Sequence, residues 1–150
     1  MVRVPSQDGN RDSGKMFVIT EWPASQAEKW ALRALLMIKG SGEAIPPNVQ
    51  GLGMLGIAIL GINVFLRGSI NPDDLIPLMD EMMQCVQIIR DPKHPEVATA
   101  IVSEDDIEEV QTRLWLRSEV LRVHTGFSPA DALSGLLAAI QAPQSNLPST

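Results

Sequence analysis

The sequence has no tyrosine, and its three Trp and three Phe amount to 4% of 150 residues. A surface that stacks unpaired bases needs several exposed rings, so single-stranded nucleic-acid binding is disfavoured at the outset. Positive charge is short as well: 12 Lys and Arg against 18 Asp and Glu leave a net charge of −6. Such a chain repels phosphate backbones and anionic lipid, so neither nucleic acid nor a membrane surface is expected as a partner. The same charge suits solubility and weak self-association, which admits a homo-oligomer. Cys85 is the only cysteine. An intramolecular disulfide is therefore ruled out, a disulfide-stapled secreted scaffold with it, and a reducing cytoplasm fits. The stretch from Met1 to Lys15 lacks an apolar core, so no secretory leader is expected.

What is present reads as one domain, because 150 residues suffice to bury a core without staples. Residues 1–14 mix Pro5, Gly9 and Gly14 with polar side chains and predict a flexible N-terminal arm. Met16 to Thr20 is a short β-rich run closed by Trp22-Pro23, and predicts a strand. A helix is expected from Ala24 to Lys39, with Ser25 and Glu28 spelling a capping box and Ala27, Ala31, Ala34, Leu35 and Ile38 forming its apolar face. Gly40 and Gly42 stop it.

Residues 51–66 are the longest apolar run, and from Ala44 to Leu66 no side chain is ionisable. A membrane span needs about 20 apolar residues. This run is shorter, follows Pro46-Pro47 and carries Asn63, so a buried helix is expected. Asn71-Pro72-Asp73-Asp74 starts another helix, to about Gln84: the Asn caps, the Pro fits the first turn, and the carboxylates meet the positive dipole end. Cys85 to Ile89 predicts a strand, and Val97 to Val102 a returning one, a hairpin that the Phe17 segment extends. Ser103 is expected to cap a long helix, with Glu104, Asp105 and Asp106 in its first turn and a stripe of Ile107, Val110, Leu114 and Leu121. Arg113, Arg117 and Arg122 then fall late, near the negative end, and Gly126 and Pro129 terminate it. Ala130 to Ile140 suggests a short helix before a flexible tail. The fold class is thus mainly α with a small β-hairpin or short sheet (α+β), in a single compact helical domain over residues 15–127, with the short helix and tail over 128–150.

Catalytic motifs do not assemble. Gly51-Leu52-Gly53-Met54-Leu55-Gly56 spells a dinucleotide-binding fingerprint, but a proline-rich loop precedes it where a strand is required, so chance is the better reading. Asp105, Asp106, Glu108 and Glu109 lack calcium-loop spacing and suit a helix start instead. His94 sits between prolines and is expected in solvent; His124 ends a helix, where an imidazolium is favoured. Cys85 has no Cys-x-x-Cys partner and no elbow sequence for a Cys-His nucleophile, so a buried thiol is expected. No enzyme activity, cofactor or metal site is predicted. Met79, Met82 and Met83 cluster on one helix; core filling is the default, yet flexible, polarizable methionines also suit a surface that accepts varied apolar partners. These three are the candidate partner-binding residues.

Three stretches taken together carry a family resemblance. They are Lys15-Met16-Phe17-Val18-Ile19-Thr20-Glu21-Trp22-Pro23 running on to Ala31, Leu78-Met79-Asp80-Glu81-Met82-Met83 running on to Ile89, and Asp105-Asp106-Ile107-Glu108-Glu109-Val110 with Leu121-Arg122-Val123-His124-Thr125-Gly126-Phe127. Their order resembles small tailed-phage proteins described as tail assembly chaperones. The resemblance implies a protein of the host cytoplasm that coats the tape measure protein, is displaced as tail tube protein adds, and in many cases also exists as a longer frameshifted form. It implies no catalytic residue. The alternative is a small structural tail or connector protein retained in the virion.

Overall fold

The structure is a computed structural model and describes residues 1–40, 42 and 70–126. The helices expected over 51–66 and 130–140, the Gly51–Gly56 motif and the C-terminal tail lie outside the described residues. Within them, three α-helices and a four-stranded antiparallel sheet make an α+β fold. The strands are β1 (Val2–Arg3), β2 (Met16–Ile19), β3 (Val86–Ile89) and β4 (Thr99–Ala100), in spatial order β1-β2-β3-β4. The helices are α1 (Ala24–Gly40), α2 (Pro72–Met83) and α3 (Val110–Thr125).

The β2–β3 register sets the core. Phe17 lies opposite Ile88, and Ile19 opposite Val86. Side chains alternate across a strand, so these four share one face. Phe17, Val86 and Ile88 join Trp30 and Ala34 of α1, Leu78 and Met82 of α2, and Leu116 and Val120 of α3 in one buried cluster. Met16 and Ile89, paired on the opposite face, are buried too, and Arg3 rests on Met16 with Nη2 3.3 Å from Sδ.

The first fourteen residues correct the sequence reading of a flexible arm. Val2 and Arg3 pair with Phe17 and Met16, Val4 enters the core, and Asp12 has no exposed surface at all. The turn closes because Gly14 adopts φ 81°, left-handed backbone open to glycine, and donates its N–H to Val4 O at 3.1 Å. Few apolar residues are needed here, since backbone pairing and one buried carboxylate hold the loop.

Helix α1 begins one residue before Ser25, with Pro23 O accepting the Gln26 and Ala27 N–H groups at 2.9 and 3.0 Å. Ser25 is therefore inside the first turn and the capping-box reading does not hold. The buried stripe is Trp30, Ala34 and Ile38, at i, i+4 and i+8. Helix α2 starts as its sequence dictates: Asn71 Oδ1 accepts the Asp73 N–H at 3.0 Å and Pro72 takes the first position. Pro77 forgoes the bond to Asp73 O without ending the helix.

Ser103 caps, but what it caps is the 3-10 turn Glu104–Asp106. Its Oγ accepts the Asp105 N–H at 3.2 Å, while Asp106 Oδ2 accepts from Val102 N and Ser103 N at 3.0 and 3.1 Å. Ile107 then runs extended, and α3 starts only at Val110. Its buried residues are Thr112, Leu116 and Val120, whereas Val110 and Leu114 of the expected stripe are 73% and 54% exposed.

Candidate functional site

The three candidate methionines do not share an exposed face. Met82 is in the core, Met83 packs against it, and Met79 is half-buried with its carbonyl accepting from Arg117 Nε at 3.2 Å. Neighbours on two sides cause this. Trp30 Nε1 of α1 donates to Leu78 O at 3.1 Å, Arg33 of α1 pairs with Glu81, and Arg117 of α3 reaches Met79 and Asp80. Met82 thus leaves the list of partner-facing residues, because a partner could reach it only by opening the core.

Cys85 is buried just before β3. Burial, and then the negative charge of Glu81, push its thiol up to about 11, so it stays protonated and unsuited to attack as a thiolate. Neither histidine faces it in a hydrogen bond. His94 is exposed beside Glu96, with Nδ1 3.2 Å from Oε1. His124 accepts the Trp22 N–H on Nε2 at 2.9 Å and directs Nδ1 at Val120 O, 2.8 Å away. With Nε2 accepting the Trp22 amide, Nδ1 is the ring nitrogen left to donate to Val120 O.

The acids near Asp106 serve the fold. Arg90 Nη2 is 2.7 Å from Asp106 Oδ2, and Arg11 reaches both Glu108 and Glu109, at 3.4 and 2.7 Å. Burial would raise the Asp106 carboxyl pKa, but the two backbone N–H bonds and Arg90 hold it below the usual range. Among the described residues no group of three His, Cys, Asp or Glu is placed to hold a metal ion.

An open groove of about 760 Å³ lies between the C-terminal end of α2, the β3–β4 pair, the Ser103 turn and the start of α3. Met83, Cys85, Val86 and Ile101, buried or half-buried, are the apolar part of its lining, interleaved with Thr20, Gln84 and Gln87. Val102, 80% exposed, stands on one rim with Glu104. Asp80 and Arg113 stand on the other sides. Val110 lies one turn before Arg113 on α3, and exposed Leu114 follows it. A second exposed apolar pair, Leu32 and Leu36 on α1, does not line the groove.

Arg113 is the residue that sequence reasoning misplaced. Because α3 begins at Val110, Arg113 sits near the positive end of that helix, where a guanidinium is disfavoured. Arg11, Arg33, Arg90, Arg117 and Arg122 each have a carboxylate partner, and Arg3 lies on Met16. Among the described residues Arg113 alone of the arginines is half-buried with no side-chain partner. Its charge also repels Arg117, whose pKa is lowered first by burial and then by Arg113.

No helix among the described residues is long and apolar enough to cross a membrane. No family model, no curated protein and no solved structure matches this chain.

Proposed function

We propose that this protein is a non-enzymatic tail assembly chaperone of a tailed phage. It holds the tape measure protein soluble in the host cytoplasm until tail tube protein adds around it. The reading starts from the resemblance of the Lys15–Ala31, Leu78–Ile89 and Asp105–Phe127 stretches. The observation that carries it further is an open groove lined in part by Met83, Val86, Ile101 and exposed Val102, with Val110 and Leu114 exposed elsewhere on α3, on a chain of net charge −6. Apolar patches of that kind on an acidic, soluble body mark contact with other proteins more readily than chemistry. No catalytic step, cofactor or metal is assigned.

Co-expression with the tape measure protein tests it. The expected result is that the tape measure protein stays in the supernatant with this chain and precipitates without it. Equal precipitation in both cases overturns the reading. Mass spectrometry of purified virions adds a second measure: a chaperone is scarce or absent, whereas stoichiometric copies would make the protein a structural part of the particle.

A further inference from the structure

Resting on the chaperone reading, we infer that the groove beside Arg113 is the client site and that its occupant is an α-helical segment carrying a carboxylate next to an apolar stripe. Two ways of holding a protein segment compete at such a surface: adding a strand to a sheet edge, or laying a helix into a groove. Strand addition is closed off here. β4 is the sheet edge beside the groove, β1 being the other edge, and the chain at and just after β4 is already engaged. Ala100 O accepts from Arg90 Nη2 at 3.4 Å, and the Val102 N–H donates to Asp106. Arg90 and Asp106 are themselves paired, so together they blunt the edge. A helix satisfies its own backbone and asks only for side-chain contacts, which Met83, Val86, Ile101 and exposed Val102 supply among the lining residues.

Arg113 decides the polar part of the match. It is a half-buried cation, near a positive helix end, beside a second guanidinium, and without an acceptor. A carboxylate from the occupant supplies the missing partner. Asp80 and Glu104 on the surrounding rim repel a segment rich in acids, so the fit is to one carboxylate within an apolar stripe rather than to an acidic run.

The test is an affinity measurement between the tape measure protein, kept soluble by co-expression, and full-length variants of this chain. Arg113→Glu is expected to weaken binding at least tenfold. It is also expected to leave the denaturation midpoint unchanged or slightly raised, since an acid replaces a cation near the start of α3. Arg113→Lys should retain most of the affinity. Leu36→Asp, on the apolar pair outside the groove, should bind like the wild type. Wild-type affinity in Arg113→Glu overturns the groove assignment and leaves the chaperone reading standing; loss in Leu36→Asp alone moves the site to α1. If the wild-type chain does not bind the tape measure protein, the chaperone reading falls and the assignment falls with it.

Discussion

Helices α2 and α3 solve the same problem at their N-termini with opposite resources. The first amides of α2 are met locally. Asn71 caps, Pro72 gives up no needed donor, and Asp73 and Asp74 meet the dipole. Glu109, at the corresponding position of α3, makes no side-chain cap. There the acceptor comes from the β1–β2 loop: Asp12 Oδ1 and Oδ2 take the Glu108 and Glu109 N–H groups at 3.0 and 2.9 Å. Lys15 Nζ sits 2.7 Å from the same carboxylate and donates to Asp105 O at 2.6 Å. A local cap is part of its helix; a remote one ties the helix to the rest of the fold. The start of α3, and with it Arg113, is therefore positioned by a loop almost a hundred residues away in sequence.

Removing the remote cap should break the comparison most visibly. Asp12→Ala orphans two amides and leaves Lys15 only Glu108 as a carboxylate partner, and should cost roughly 3 kcal/mol, read as a lower urea midpoint. If α3 were self-capped, the loss would be no larger than that of a surface substitution. The same carboxylate makes stability depend on acid. Burial acts to raise the Asp12 pKa, but the Glu108 amide, Lys15 and the Glu109 amide outweigh it and hold it at about 2. A depressed folded-state pKa contributes stability that is complete above the unfolded value, about 3.9, and is lost as pH falls through the folded one. Roughly 2 kcal/mol should therefore disappear between about pH 4 and pH 2. Asp106 titrates with the same sign, so the measurement is the difference between wild type and Asp12→Asn, in which the Asp12 share of that slope should vanish.

The same contrast explains what could be read from the chain in advance. α2, β2 and β3 were legible because cap, alternation and punctuation sit within a few residues of one another. The loop of residues 1–14 was not, because one buried carboxylate, Asp12, orders it, and nothing local distinguishes that aspartate from Asp8. α3 was misread for a related reason. Counting its phase from Ser103 put Ile107, Val110 and Leu114 on one stripe, but Ile107 precedes the helix and the true buried stripe passes through the polar Thr112. Apolar residues on several sides of α3 gave no periodicity to contradict the wrong phase. The groove itself was illegible, since Met83, Val102 and Arg113 converge only through tertiary packing.

Asn71→Ala sharpens the comparison from the other side. One local acceptor is lost at an exposed helix end, and Pro72 and the acids remain, so the cost should be about 1 kcal/mol. Asn71→Asp should be close to neutral, because the carboxylate accepts the same Asp73 N–H. A loss for Asn71→Ala as large as that of Asp12→Ala would show that exposure and tertiary linkage do not separate the two caps.

Ser103→Ala should produce the smallest change. Ser103 has the side chain of a strong helix cap and the geometry of one, yet the element it opens is a single 3-10 turn. Its Oγ accepts the exposed Asp105 amide, which water can take over, and shares the Asp106 amide with Ser103 O, which accepts it at 3.1 Å. The reciprocal half of the capping box does more. Asp106 accepts from Val102 N and Ser103 N and is anchored by Arg90, and none of those bonds needs the Ser103 hydroxyl. The expected cost is about 0.5 kcal/mol, the low end for a lost cap, measured as a shift in urea midpoint with an unchanged slope. A cost equal to or above that of Asn71→Ala would mean that the turn and α3 form one cooperative helix start. Asp12 would then support a nucleus set at Ser103, rather than being the cap on which α3 depends.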